Sequence, residues 1–134
     1  MVCVGQMRVI AAAVVVGGRL LLVSKRTAPD VFYLPCGKPE PGESPLACVR
    51  REVREELGCS IHQPEVFLEV HARGALEGVD MHMTVYRANL IGTPTPTAEI
   101  AALTWWPEKL VTLAPAVDLH VIPTLQRSGF LSSR

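Results

Sequence analysis

The chain has 134 residues, of which 49% are apolar and 19% are charged, and its 13 basic residues are balanced by 13 acidic ones. This composition excludes a disordered chain, and the balanced charge argues against a protein that binds nucleic acid. The longest apolar stretch, residues 9–16, is too short to cross a membrane, and residues 1–8 lack the pattern of a secretory signal. We therefore expect a single domain over residues 1–134, located in the cytoplasm, with reduced cysteines and no membrane partner.

Two β-rich segments open the chain. Residues 7–16 and 19–25 flank Gly17 and Gly18, which predicts a hairpin. Residues 27–30 are predicted to form a loop, and a short extended segment follows at residues 31–35. Residues 36–43 contain two glycines and two prolines, which excludes a helix or a central strand there.

The next segment carries the clearest helix signals. Ser44 is typical of an N-cap, Pro45 of the first helical position, and Gly58 of the residue that ends a helix. Between them, four apolar residues at spacings of three and four predict one apolar stripe: Leu46, Val49, Val53 and Leu57.

The second half of the chain predicts strands separated by loops, and then one more helix. The predicted elements are strands at residues 65–73, 81–90 and around 105–106, a turn at residues 74–78, a loop at residues 91–98 and a helix at residues 116–127. The loop holds two prolines and three threonines, and the helix is expected to kink at Pro123. This order of elements predicts an α/β (α+β) domain in which helices cover a sheet.

Three carboxylates cluster on the first predicted helix. Spacings of three and four residues place Glu52 beside both Glu55 and Glu56, next to the apolar stripe. Carboxylates crowded in this way repel one another unless a cation lies among them, and Mg²⁺ binds carboxylate oxygens. The alternative is a solvent-exposed acidic face whose charge is balanced by the neighbouring arginines, Arg50, Arg51 and Arg54.

The loop before this helix favours the metal-binding interpretation. Gly37, Glu43 and residues 51–59 fill every fixed position of the pattern G-x5-E-x7-R-E-U-x-E-E-x-G-U, in which U is apolar. This pattern is the Nudix box, and the chain resembles the small, MutT-like members of the Nudix hydrolase family. The resemblance implies the Nudix fold, a mixed sheet sandwiched between helices.

The resemblance also implies a reaction and a set of site residues. Nudix enzymes hydrolyse a nucleoside diphosphate linked to another group, with Mg²⁺ or Mn²⁺ as the cofactor. By their positions in the motif, Glu52, Glu55 and Glu56 would be metal ligands, with Glu43 as a further ligand. Glu52 is the usual base, and Arg51 would hold a glutamate in place, with Glu55 four residues later as the local candidate.

Positions outside the helix gain meaning from the same resemblance. Lys25 and Arg26 end a predicted strand where MutT-like proteins often carry a basic residue near the phosphates. Lys38 follows Gly37 in the loop, and these four residues are candidates for substrate binding. Glu99 begins a segment that looks like the family's downstream E-I-x-x-L-x-W, in which an acid supports metal binding or acts as the base. For the charged residues, the alternative is an ordinary exposed surface position.

Cys36 departs from the family pattern, which usually has a second glycine at this position. A side chain here could narrow the approach of the phosphates or form part of the pocket. Its loop position and the nearby cations lead us to expect a partly ionised thiol that is sensitive to oxidation.

The complete motif and the absence of any other specificity mark lead us to expect a nucleotide substrate. We expect a (deoxy)nucleoside triphosphate that is cleaved to a monophosphate and pyrophosphate. Hydrolysis of ADP-ribose or of a nucleotide sugar stays open as an alternative, as does a sensor of the same fold that binds a nucleotide without cleaving it. The high apolar content of residues 110–125 leads us to expect a homodimer.

Overall fold

A computed structural model describes residues 7–73 and 80–132. Cys3 and the predicted turn at residues 74–78 lie outside the described residues. The elements are, in chain order, β1 (Met7–Ala13), β2 (Val15–Val16), β3 (Arg19–Lys25), β4 (Ala28–Tyr33), β5 (Cys36–Gly37), α1 (Pro45–Leu57), β6 (Ser60–Arg73), β7 (Asp80–Ile91), β8 (Ile100–Trp106), β9 (Thr112–Leu113), a π-helical segment (Val117–Val121) and α2 (Ile122–Arg127).

The strands form two mixed sheets. The first has the order β5-β1-β7-β6, with β1 and β7 parallel and the other pairs antiparallel. The second has the order β2-β3-β4-β9, with β8 also paired to β3. Gly17 and Gly18 form the predicted hairpin turn with φ values of 58° and 77°, which glycine adopts without strain. The strand predicted over residues 7–16 is divided at Val14, where the chain passes from the first sheet to the second.

Helices cover both faces of these sheets. Ile10 and Ala12 of β1 pack with α1, whereas Val9 and Ala11 pack with the C-terminal helix. Successive residues of a strand point to opposite faces, so a strand that is covered on both faces is apolar throughout. The expected mixed sheet sandwiched between helices is confirmed.

Several local predictions differ from the structure. The strand predicted around residues 105–106 is β8, which begins at Ile100. Residues 28–30, which were predicted to be loop, begin β4, because Ala28 pairs with Lys25. Strand β6 begins at Ser60 rather than at residue 65, because its first residues pair with the end of β7. Leu46 is exposed and does not belong to the buried stripe, because the packing of α1 against the core begins only at Cys48.

The C-terminal helix is present, with a π-helical segment directly before α2. Pro123 has no N–H to donate, and its ring crowds the carbonyl group four residues earlier, so the helix widens there. No helix among residues 7–73 and 80–132 is long and apolar enough to cross a membrane.

Candidate active site

Local capping holds α1 in the position that the sequence predicts. The hydroxyl of Ser44 accepts a hydrogen bond from the N–H of Ala47 at 3.1 Å, which satisfies one free donor at the start of the helix. Gly58 ends the helix with a φ of 69°, a left-handed conformation that favours glycine. Both predicted ends of the helix are confirmed.

The three glutamates of α1 differ in burial. The side chain of Glu55 is 55% exposed and that of Glu52 is 13% exposed, whereas Glu56 as a whole residue is 2% exposed. Gly37 makes room for Glu52, because a Cβ atom at position 37 would overlap the Glu52 carboxylate. Glycine is therefore needed where β5 passes this side chain.

Arg51 lies among the acidic side chains. Its Nε and Nη2 donate to the two carboxylate oxygens of Glu43 at 2.7 and 2.9 Å, and its Nη1 donates to Glu52 at 2.9 Å and to Glu55 at 3.1 Å. The hydrogen bonds from Arg51 lower the pKa of Glu43 to about 2. The expected contact with Glu55 is present, and the same guanidinium also ties the preceding loop to the helix.

Glu56 is the most buried of the carboxylates. Its Oε1 accepts a hydrogen bond from the N–H of Cys36 at 3.3 Å, whereas its Oε2 is buried and has no hydrogen-bond partner among the described residues. Burial and the charge of Glu52 raise the pKa of Glu56 to about 8, against the opposing effect of Lys25. Burial likewise raises the pKa of Glu52. The pair therefore carries its full negative charge at neutral pH only if a further cation joins it.

The donor chemistry of this pair fits a hard divalent cation. Such ions take carboxylate oxygens as ligands, and Oε2 of Glu56 is a buried oxygen without a hydrogen-bond partner in the described part of the chain. Within residues 7–73 and 80–132, no three His, Cys, Asp or Glu side chains are already grouped as ligands around one point. Arg51 instead supplies the positive charge between Glu43, Glu52 and Glu55.

The candidates outside the helix fall into two groups. Lys25 lies at the carboxylate cluster, because its Nζ is 3.7 Å from Glu99 and its charge acts on Glu56. Arg26 is exposed, and its Nε donates to a carbonyl of the loop before Glu99 at 3.0 Å. The side chain of Lys38 is also exposed and forms no ion pair within the described part of the chain. The structure thus brings the side chains of Lys25 and Glu99 to the cluster. Lys38 contacts the cluster through its carbonyl, which accepts from Arg51 at 3.1 Å, whereas the side chain of Arg26 bonds to the loop before Glu99.

Cys36 does not have the reactive thiol that its loop position suggests. Burial and the charge of Glu56 raise its pKa to about 12, and Lys25 offsets only part of this rise. The expectation of an ionised thiol is therefore wrong, because burial and the neighbouring carboxylates outweigh the charge of Lys25.

Sequence reasoning missed the role of the loop at residues 91–98. Thr95 and Thr97 donate their N–H groups to carbonyls in the last turn of α1, each at 3.0 Å. The signal for this role was the alternation of threonine and proline, since the prolines fix the backbone and leave the N–H groups of the threonines as donors.

Comparison with known proteins places the chain among nucleotide hydrolases. Residues 6–125 match the NUDIX domain family. The chain is 31% identical over 120 residues to a Mycobacterium tuberculosis protein named "Putative 8-oxo-dGTP diphosphatase 2". This match covers 87% of this chain and 81% of that protein. It is 54% identical over 50 residues to the NAD-capped RNA hydrolase NudC of Stutzerimonas stutzeri, and this match covers 37% of the chain and only 18% of that protein.

A solved structure supports the same relationship. The MutT NUDIX hydrolase of Burkholderia pseudomallei superimposes on the chain with a TM-score of 0.75 and 29% sequence identity, over 84% of this chain and 93% of that one. The similarity extends beyond the motif at residues 37–59 to most of both chains.

Proposed function

The chain belongs to the Nudix family, and we propose that it cleaves a (deoxy)nucleoside triphosphate to the monophosphate and pyrophosphate. The relatives described above, which are named as a diphosphatase and a hydrolase, support hydrolysis of a phosphoanhydride bond. The observation that carries the proposal is the pair of Glu52 and the buried Glu56, with Lys25 nearby and with Oε2 of Glu56 lacking a hydrogen-bond partner among the described residues. Such a pair suits a substrate whose phosphates bind together with a divalent cation. The mycobacterial relative, named for 8-oxo-dGTP, supports oxidised triphosphates as substrates.

We assign Mg²⁺ or Mn²⁺ as the cofactor, with Glu52, Glu55 and Glu56 as ligands and Glu43 as a further ligand. When bound, the ion neutralises phosphate oxygens and lowers the pKa of the attacking water. The protein holds the carboxylates together through Arg51, which bonds to the loop and to the helix at the same time. Its two-point pairing with Glu43 fixes both the orientation and the charge of that carboxylate.

Glu52 is the proposed base. Burial raises its pKa, which increases its affinity for the proton of the attacking water. Lys25 is the cation proposed to meet the charge that develops on the phosphate, with Arg26 and Lys38 further out. Glu99 lies 3.7 Å from the Lys25 ammonium and is the second candidate for the base.

Two features support a triphosphate over a larger nucleotide. A triphosphate is the most highly charged of the candidate substrates, and the positive side chains around the motif suit it. The loop at residues 91–98 is short and hydrogen-bonded to α1, so it does not provide a long segment to enclose a second nucleoside or a sugar.

The three described cysteines are free, in keeping with a reducing compartment such as the cytoplasm.

The test is product analysis with Mg²⁺ on a panel of (deoxy)nucleoside triphosphates, 8-oxo-dGTP, ADP-ribose and nucleotide sugars. We expect the triphosphates to react fastest and to release pyrophosphate. Lys25→Met should lower kcat more than it raises KM, because its charge acts in the transition state, whereas the exposed Lys109→Met should change neither. Faster cleavage of ADP-ribose or of a nucleotide sugar than of every triphosphate would overturn the proposed substrate class. Nucleotide binding without cleavage would favour the alternative that the protein is a nucleotide sensor of the same fold.

A further inference from the structure

The last turn of α1 is capped from outside the helix. A helix leaves its last four carbonyl groups without partners in the helix. Here the carbonyl of Arg54 accepts from the N–H of Gly58 at 3.0 Å, which is the ordinary glycine cap. The other three carbonyls, those of Glu55, Glu56 and Leu57, accept from residues 93–97, which we name the threonine–proline strap.

The strap satisfies these three carbonyls with two threonines. Thr95 donates its N–H to the carbonyl of Leu57 at 3.0 Å. Thr97 donates twice, its N–H to the carbonyl of Glu56 at 3.0 Å and its hydroxyl to the carbonyl of Glu55. The intervening prolines have no N–H and restrict the backbone, so the sequence Thr-Pro-Thr-Pro-Thr presents its donors at alternate positions along α1.

The strap connects two parts of the candidate site. At one end, Thr97 holds the backbone of Glu55 and Glu56, whose side chains are the proposed metal ligands. Two residues after Thr97, just beyond the strap, the carbonyl of Glu99 accepts from the N–H of Arg26 at 2.8 Å, and the side chain of Glu99 lies beside Lys25. One short segment therefore sets the position of the acidic end of α1 relative to the end of β3.

We propose that Thr97 is a positioning residue for catalysis, whose hydroxyl and N–H hold the backbone carbonyls of Glu55 and Glu56 and thereby position the last helical turn, with its two proposed metal ligands, relative to Lys25 and Glu99. The inference rests on the proposed function. Hydrogen bonds to the side chains of metal ligands are worth about 10- to 100-fold in metal affinity or activity. Thr97 instead holds the backbone that carries two proposed ligands, so we expect an effect at the lower end of this range. A hydroxyl that bonds only to its own loop would have no such effect.

The strap offers a matched pair of variants for the test. Thr97→Val removes the hydroxyl that bonds to α1 and keeps the N–H, whereas Thr93→Val makes the same chemical change at an exposed position of the strap. We expect Thr97→Val to lower kcat about tenfold and to raise the Mg²⁺ concentration for half-maximal activity, with a smaller effect on KM. Thr97→Ser should restore both values, and Thr93→Val should leave them unchanged. Equal kcat values for Thr97→Val and Thr93→Val would overturn the proposal.

A second measurement separates this inference from the proposed function. Calorimetric titration of the same variants with Mn²⁺ alone reports on the carboxylates without any substrate. We expect weaker Mn²⁺ binding for Thr97→Val than for the wild type and Thr97→Ser, while circular dichroism shows all variants to be folded. If the wild type cleaves no nucleotide of the panel, the proposed function fails and this Mn²⁺ difference still tests the strap. Equal Mn²⁺ affinity in all variants would overturn the positioning role.

Discussion

Replacing Glu56 by glutamine should stabilise the metal-free protein at high pH. Glu56 is buried, and burial together with the charge of Glu52 raises its pKa from 4.5 to about 8. In the unfolded chain the carboxyl group ionises near its ordinary pKa, so between about pH 4.5 and pH 8 the unfolded state releases a proton that the folded state keeps. The free energy of unfolding of the wild type therefore falls as the pH rises through this window, and it is highest below it.

The structure sets an upper limit on the size of this effect. At about 1.4 kcal/mol for each tenfold change in proton affinity, a rise in pKa from 4.5 to about 8 corresponds to at most about 5 kcal/mol of unfolding free energy above pH 8. Glutamine has nearly the same shape as glutamate and carries no charge, so Glu56→Gln removes this dependence. We expect a small difference in stability between variant and wild type at pH 5 and the largest difference at pH 9.

Urea unfolding followed by circular dichroism, with a chelator present, measures this difference across the pH range. Glu65→Gln on β6 is the control, because the Glu65 side chain is 68% exposed. Mg²⁺ at pH 8 should stabilise the wild type but not Glu56→Gln, and the variant should lose nucleotide hydrolysis by orders of magnitude. A stability difference that does not change with pH would refute the argument that burial keeps a proton on Glu56.

Two further substitutions test other parts of the site, and one measurement tests the assembly of the protein. Gly37→Ala should lower both kcat and the melting temperature, because the new Cβ overlaps the Glu52 carboxylate; a folded variant with normal kinetics would contradict this. Arg51→Lys should lower the free energy of unfolding in urea by about 1–3 kcal/mol, because an ammonium group cannot bond several carboxylates as the guanidinium does; wild-type stability would argue against that role. Leu110 and Leu119 are 81% and 64% exposed, and exposed apolar side chains favour association. We therefore expect light scattering to show a homodimer, and a monomer at micromolar concentration would contradict this.

The sequence by itself determined the features that depend on neighbouring residues. Ser44, Pro45 and Gly58 mark the ends of α1 correctly, because a cap acts on backbone groups within one helical turn. The pair Gly17–Gly18 predicts its turn for the same reason. The family motif at residues 37–59 likewise lies in one contiguous stretch of the chain, and it identifies the hydrolase family before any contact is known.

Only the tertiary structure decided which of these residues are buried and what they meet. Spacing places the glutamates of α1 side by side, but the packing of the helix on the sheet buries Glu56 against the N–H of Cys36 and leaves Glu55 exposed. The same packing raises the pKa of the Cys36 thiol and brings Thr97, more than forty residues after Glu55 in the chain, onto the end of α1. Desolvation and long-range hydrogen bonds depend on segments that are distant in sequence, so the protonation and the positioning of this site follow from the fold and not from the motif.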